Sequence, residues 1–102
     1  MKVIKIDEVP TEPFHGPTPT MGTGGPITTQ PIVTKQMGKN YLIQMVNFSK
    51  GARNKFHRHT CDQVLIVTAG TGIVATEQRK VSVGAGDIIH ISAGEKHRHG
   101  AT

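Results

Sequence analysis

The chain contains 102 residues, a length that accommodates one compact domain around one core. Hydrophobic residues make up 35% of the sequence and Trp is absent, so we expect a thin core and an oligomer that helps to cover it. Lys and Arg exceed Asp and Glu by 12 to 7, but the cations are scattered and aromatic residues make up only 4%, which argues against nucleic acid as a partner.

The N-terminal segment shows neither an export signal nor a membrane-spanning pattern. Residues 1–13 mix acidic and basic side chains with few apolar ones, which is untypical of a signal peptide. No segment approaches the roughly 18 apolar residues of a spanning helix, and the single cysteine, Cys61, cannot form an internal disulfide. We therefore expect a cytoplasmic protein that has no membrane partner.

The first third of the chain is predicted to be an arm. All six prolines lie between Pro10 and Pro31, among several Gly and Thr residues. Proline can neither continue a helix nor join a central strand, so residues 10–26 are expected to be extended. Before them, residues 3–6 are apolar enough for a short strand. We therefore divide the chain into an N-terminal strand and arm, residues 1–26, and a barrel domain, residues 27–102.

Beyond the arm, short apolar segments alternate with turns that contain glycine, as at Gly51, Gly70 and Gly86. The segments are rich in Val, Ile and Thr, as strands are, and none has the length and period of an amphipathic helix. The predicted strands cover residues 27–34, 41–48, 63–68, 72–76, 80–83 and 87–91. So many short strands indicate an all-β sandwich or small barrel.

Histidine is the residue type that points to chemistry. Six histidines are present, and four of them form two pairs, His57 with His59 and His97 with His99. Residues two apart on a strand project from the same face. His57 and His59 can therefore direct ring nitrogens at one point, at the distance of about 2.0 to 2.2 Å that a divalent cation requires. A His-x-His pair alone is weak evidence, because core and surface histidines also occur at this spacing.

The residues that flank the first pair strengthen the metal-site interpretation. Gly51 lies six residues before His57, Gln63 lies four residues after His59, and Gly70 lies seven residues after Gln63. A second block begins at Gly86, and its last histidine follows eleven residues later.

Together the two blocks resemble the two motifs of the cupin superfamily. The first motif runs Gly, five residues, His-x-His, three or four residues, Glu, six residues, Gly; the second runs Gly, five residues, Pro-x-Gly, two residues, His. Here they stand as residues 51–70 and 86–97, with Gln63 in place of Glu and Ser92 in place of Pro. The resemblance implies a single cupin-type, jelly-roll-like β-barrel.

The resemblance also implies a metal site. Small one-domain cupins with similar sequences bind their metal through three His and one Gln, which places the ligands here at His57, His59, Gln63 and His97. We expect one divalent transition metal per chain, because this donor set disfavours Ca and Mg. The resemblance favours Mn or Fe over Zn, Ni, Co or Cu. Four neutral ligands would leave the ion its full +2 charge, which makes it a stronger Lewis acid than a site with Glu.

Some cupins of this subset are manganese-dependent hydroxynitrile lyases, so the resemblance implies lyase-type chemistry on a small organic substrate, such as cyanohydrin cleavage. A base must take the hydroxyl proton, and the candidates are His99, on the same side as His97 in a regular strand, and a metal-bound hydroxide. A metal-dependent dioxygenase is the alternative function, since cupins also host that chemistry. A non-enzymatic module that binds a small ligand is a second alternative.

Three further side chains have structural interpretations. Cys61 is expected to be a buried free thiol, because a turn at residues 60–62 breaks the strand parity that would point it into the pocket. His90 alternates with two isoleucines and is expected to line the pocket or to hydrogen-bond in the core. His15, in the arm, is expected at the surface.

The assembly prediction concerns the edges of the barrel. Related cupins continue through at least one strand beyond the position of Thr102, so closure here requires a strand from the arm, from a partner chain or from residues beyond the given sequence. The simplest arrangement is a homodimer, in which each arm carries residues 3–6 onto the neighbouring subunit and buries Val3 and Ile6 there.

Overall fold

The computed structural model describes residues 1–14 and 22–102, and these residues form an all-β fold with one short 3-10 helix, Ile6–Glu8. His15 and the central part of the predicted arm lie outside the described residues. The strands are β1 (Glu12–Pro13), β2 (Gly22–Thr23), β3 (Ile27–Val33), β4 (Ile43–Phe48), β5 (Arg53–Asn54), β6 (Gln63–Ile66), β7 (Thr71–Thr76), β8 (Lys80–Gly84), β9 (Ile88–Ile91) and β10 (His97–Ala101).

The predicted strands of the barrel domain are all confirmed, with bounds that differ by up to two residues. The predicted strand at residues 3–6 is wrong for the single chain. The side-chain amide of Gln30 donates hydrogen bonds of 3.0 and 2.9 Å to the carbonyl oxygens of Ile6 and Val9. A side chain of β3 therefore satisfies backbone groups that a neighbouring strand would otherwise pair.

The strands form three antiparallel sheets. The largest has the order β2-β5-β10-β7-β8, and the smaller ones have the orders β1-β3-β4 and β6-β9. Within the described residues, β4 and β6 each have a strand on one side only. The buried apolar residues come from β3, β7 and β9 and from the loop before β5: Ile27, Ala52, Ile73, Ala75 and Ile91.

The β6-β9 sheet has one buried and one exposed face, because side chains alternate along each strand. Leu65 and Ile91 point inward, whereas Val64, Ile66 and Ile88 are exposed by 57%, 63% and 68%. The alternation also turns Gln63 toward the same inner face, two positions before Leu65. This face is directed at the start of β10, where His97 is fully buried.

Two glycines allow β10 to lie close to both of its neighbours. A Cβ atom on Gly100 would collide with the carbonyl oxygen of Ala52 and with the backbone of Arg53, and one on Gly72 would collide with the carbonyl oxygen of Gly100. The close approach brings β5 and β7 to the two sides of β10, the strand that carries His97 and His99. In the described part of the chain, no helix is long and apolar enough to cross a membrane.

Candidate metal centre

Three histidines cluster where the loop between β5 and β6 meets the start of β10. The backbones of His57 and His97 exchange two hydrogen bonds of 2.9 Å each, from N–H to carbonyl oxygen in both directions. One ligand atom from each of His57, His59 and His97 lies within 4.8 Å of the others. The cluster is therefore held by the backbone, and its geometry suits a metal ion.

The tautomers of two of these histidines follow from their hydrogen bonds. Nδ1 of His57 lies 2.6 Å from the carbonyl oxygen of Lys55, and Nδ1 of His97 lies 2.8 Å from that of Glu95. A carbonyl oxygen only accepts hydrogen bonds, so each Nδ1 carries the proton. Each neutral ring then presents the lone pair of Nε2, as metal-binding histidines commonly do.

The third imidazole, that of His59, also has a nitrogen that can act as a metal ligand. Nε2 of His59 is buried and has no hydrogen-bond partner among the described residues. A buried polar atom without a partner is costly, and a metal ion would satisfy it. The imidazoles of His57 and His59 thus fit the metal-ligand role that their spacing predicts.

Gln63 reaches the same cluster from the first position of β6. Its Oε1 lies 3.1 Å from Nε2 of His97. In a neutral His97 ring with its proton on Nδ1, both facing atoms are acceptors, and this contact is then not a favourable hydrogen bond. Two ligand atoms about 2.1 Å from one metal ion and at right angles to each other would be about 3 Å apart. The two atoms are therefore spaced as neighbouring ligands of one ion.

The electrostatics favour neutral rings at His57 and His59. Burial lowers the pKa of His57 below its ordinary value of 6.5; the hydrogen bond to Lys55 raises it, and the neighbouring His97 and His59 lower it further. Burial and His97 also lower the pKa of His59. Because only the neutral imidazole binds a metal, lowered pKa values reduce competition from protons near neutral pH.

His99 lies beside the cluster, and Asn54 holds it in place. The His99 ring stacks on that of His97 with centroids 5.9 Å apart. Its backbone N–H donates to Oδ1 of Asn54 at 2.8 Å, and Nδ2 of Asn54 lies 3.2 Å from its Nε2. The side-chain amide must donate to Nε2, which places the proton of His99 on Nδ1. Burial, followed by the neighbouring His57, His97 and His59, lowers the pKa of His99 to about 3.

Asn54 was not among the residues that the sequence suggested. It is only 6% exposed. The strands β5 and β10 share a single register pair, Gly100 with Arg53, and the Asn54 side chain adds a second connection between them. An Asn three residues before the first histidine pair was the only signal in the sequence, and its partner lies 45 positions away.

The structure corrects one of the remaining sequence interpretations and refines another. Cys61 is exposed and not buried, because the bend at residues 60–61 places it at the surface before β6 begins. His90 lies on the outer side of β9 with its side chain 58% exposed, 3.6 Å from a carboxylate oxygen of Asp62. It does not belong to the core, although it contributes to the rim of a cavity.

That cavity adjoins the histidine cluster. It has a volume of about 720 Å³ and lies among β7, β8 and β9, with His97 in its wall. Apolar side chains such as Val74 and Ile89 line it together with a larger number of polar and charged residues, including Thr76 and Arg79. This volume is typical of sites for small organic molecules.

Comparison with known proteins identifies the family. The family model of the cupin domain matches residues 44–102, more than half of the chain. The chain belongs to the cupin family. The fold class and the resemblance predicted from the two motif blocks are thereby confirmed. This cupin is 47% identical to the (R)-mandelonitrile lyase of Granulicella tundricola over 57 residues, which are 55% of the chain and 44% of the lyase. The matched region thus spans less than half of that relative.

Solved structures agree with the assignment. A cupin-like protein from Thermotoga maritima superposes with a TM-score of 0.78 at 30% identity, covering 89% of this cupin and 69% of that protein. A second Thermotoga maritima protein, described as a predicted oxalate decarboxylase, has a TM-score of 0.85 at 21% identity over 99% of this chain and 88% of its own. At that identity the second likeness concerns the fold alone.

Proposed function

We propose that this cupin is a metal-dependent enzyme that acts on a small organic molecule, with one divalent transition metal held by His57, His59, Gln63 and His97. The observation that carries the proposal is the convergence of imidazole nitrogens. In His57 and His97 the opposite ring nitrogen is already committed to a backbone carbonyl. Such hydrogen bonds orient a ligand before the metal arrives.

The donor set bears on the kind of metal and on its chemistry. Imidazole and amide donors suit Mn or Fe, and they also suit Zn, Ni, Co or Cu. A bound ion with four neutral ligands would keep its +2 charge and stabilise an oxygen that becomes anionic during the reaction. The hydrogen bonds from Nδ1 of His57 and His97 to carbonyl oxygens direct Nε2 of each ring toward such an ion, so the protein orients both ligands.

Lyase-type chemistry is the most specific reaction that we propose. The likeness to an (R)-mandelonitrile lyase supports it, and the cavity beside His97 is large enough for an aromatic cyanohydrin. In that reaction the substrate hydroxyl loses its proton, the bond between carbon and the nitrile breaks, and a carbonyl compound and hydrogen cyanide are released. The chain must then supply a group that handles the proton.

His99 remains the proposed proton-handling residue, and its contacts refine the role. Its Nε2 accepts from Asn54, so a proton can reach this nitrogen only when the amide turns away. Its Nδ1 carries a proton and can donate a hydrogen bond. The contacts therefore allow His99 to donate a hydrogen bond from Nδ1 to a developing anion at once, and to take the hydroxyl proton at Nε2 only after the Asn54 amide has turned away.

Metal analysis of the purified protein tests the site. We expect about one transition metal per chain in the wild type and a near-complete loss in the His57→Ala, His59→Ala double variant. His90→Ala serves as the matched control, because it removes an exposed imidazole outside the cluster. A double variant that keeps its metal would refute the proposed ligand set.

Activity assays test the reaction class. The metal-loaded protein is expected to release benzaldehyde from mandelonitrile equally fast in air and under nitrogen. Oxygen consumption with loss of activity under nitrogen would replace the lyase proposal with the dioxygenase alternative. Tight binding of small molecules without turnover would replace it with the non-enzymatic alternative.

A further inference from the structure

We infer that Asp62 is a positioning residue for the metal site, an inference that rests on the proposed function. Asp62 immediately precedes Gln63, and its side chain is 64% exposed. Its Oδ1 accepts a hydrogen bond of 2.8 Å from the backbone N–H of Ala93, which lies 31 positions away. An exposed carboxylate that spans such a separation ties two segments together without being part of the core.

The two segments that Asp62 joins are the ones that present Gln63 and His97. Ala93 belongs to the turn between β9 and β10, and His97 is the first residue of β10. Gln63 is the first residue of β6. The bond between Asp62 and Ala93 therefore extends the β6-β9 pairing by one contact into this turn, at the end where Oε1 of Gln63 meets Nε2 of His97.

The same turn is attached to the first histidine pair by a backbone hydrogen bond. The N–H of Gly94 donates to the carbonyl oxygen of His59 at 2.8 Å. Gly94 has a φ of +82°, a conformation that side-chain-bearing residues rarely adopt. The turn thus contacts the segment of His59 through its backbone and the segment of Gln63 through Asp62. Without Asp62, β6 would keep its ladder pairing with β9, in which Gln63 lies opposite Ile91, but it would lose the side-chain bond that continues this pairing into the turn.

The hydrogen bond, and not the negative charge, is the part of Asp62 that acts. The nearest cation candidate, Nε2 of His90, is 3.6 Å from Oδ2, and both side chains are more than half exposed. Exposed ion pairs contribute little. An amide oxygen at the same position would still accept the bond from Ala93. Asp62→Asn should therefore preserve the site, and Asp62→Ala should impair it.

The chain offers a matched control in Asp87. Its Oδ2 accepts a hydrogen bond of 2.8 Å from the backbone N–H of Gly84 in the turn between β8 and β9. It has the same chemistry as the Asp62 contact and a similar exposed position, but none of the proposed ligands adjoins it in sequence. Asp87→Ala therefore reports the effect of losing a carboxylate-to-backbone bond as such.

The experiment measures the affinity of the metal-free proteins for Co²⁺ by following its visible absorption, together with the exchange rate of the Ala93 amide hydrogen. We expect wild type, Asp62→Asn and Asp87→Ala to bind alike within about threefold, and Asp62→Ala to bind roughly tenfold or more weakly, as for other groups that orient ligands. Exchange at Ala93 should accelerate only in Asp62→Ala. The metal-free melting temperature of Asp62→Ala should match that of Asp87→Ala.

Two outcomes would overturn the inference alone while leaving the metal site intact. One is unchanged affinity in Asp62→Ala, and the other is an equal loss in Asp62→Asn, which would show that the charge acts. Failure of the wild type to bind Co²⁺ would instead overturn the proposed metal site and the positioning role with it.

Discussion

Replacement of Asn54 by Ala should destabilise the metal-free protein strongly, although it removes only one small side chain. The side chain is 6% exposed and makes two hydrogen bonds with His99, one to the backbone N–H and one to the ring. Each bond contributes a net of roughly 0.5 to 1.5 kcal/mol, and a buried N–H left without a partner costs about 1 to 3 kcal/mol. Since these contributions overlap, we expect a total loss of about 2 to 4 kcal/mol.

The matched control is Asn47→Ala, because the Asn47 side chain makes a hydrogen bond of 3.1 Å with Gln30 in an exposed position. Water replaces an exposed partner, so this variant should lose no more than about 0.5 kcal/mol. Urea denaturation of the metal-free proteins measures both losses. The melting temperature of the Asn54→Ala variant should be lower than that of the wild type by roughly 10 to 20 °C, because a loss of 1 kcal/mol lowers it by about 4 to 8 °C in a domain of this size.

Equal losses in the two variants would refute this reasoning, because the larger part of the expected difference comes from the burial of the Asn54 contacts. A loss below about 0.5 kcal/mol in Asn54→Ala would refute it as well, since it would show that His99 finds other partners at no cost.

Three further predictions follow from the site and the arm. Gln63→Glu should keep the metal but lower its effective charge, so cyanohydrin cleavage should slow; faster cleavage would contradict our account of the glutamine. The metal-free protein should lose stability below pH 6.5, because His99 in the unfolded chain then binds a proton, whereas buried His99 in the folded protein, with a pKa of about 3, does not. Urea denaturation at pH 7 and pH 5 should therefore show a smaller loss of stability in His99→Gln than in the wild type. Deletion of residues 1–12 should weaken the proposed dimer in light scattering, whereas a monodisperse wild-type monomer would exclude strand exchange.

The histidine cluster could be predicted from the sequence because its members are related by strand alternation and by motif spacing, both of which are visible in the sequence. Alternation along an extended segment relates His57 to His59, and the motif spacing brings in His97. What neither alternation nor spacing reveals is a contact whose partner depends on strand register, such as Asn54 with His99 or Asp62 with Ala93. Those pairs form only once β5 meets β10 and β6 meets β9.

The errors of the sequence analysis have a similar cause. Residues 3–6 have the composition of a strand, but the nearby backbone groups are satisfied by the side chain of Gln30, which no local pattern discloses. Cys61 has the hydrophobicity of a buried residue, yet a bend holds it outside. In both places tertiary contacts override the local preference.

The backbone bridge between His57 and His97 has a consequence for folding kinetics. Its two residues are 40 positions apart, and the strands from β6 to β9 lie between them. Contacts of such separation form late, because the intervening chain must first be ordered. A ligand that binds only the finished bridge cannot accelerate the earlier steps, so its stabilisation should appear almost entirely as slower unfolding. A bound metal would thus slow unfolding of the barrel. The lifetime of the folded protein would then depend strongly on the metal supply, whereas the folding rate would depend on it little.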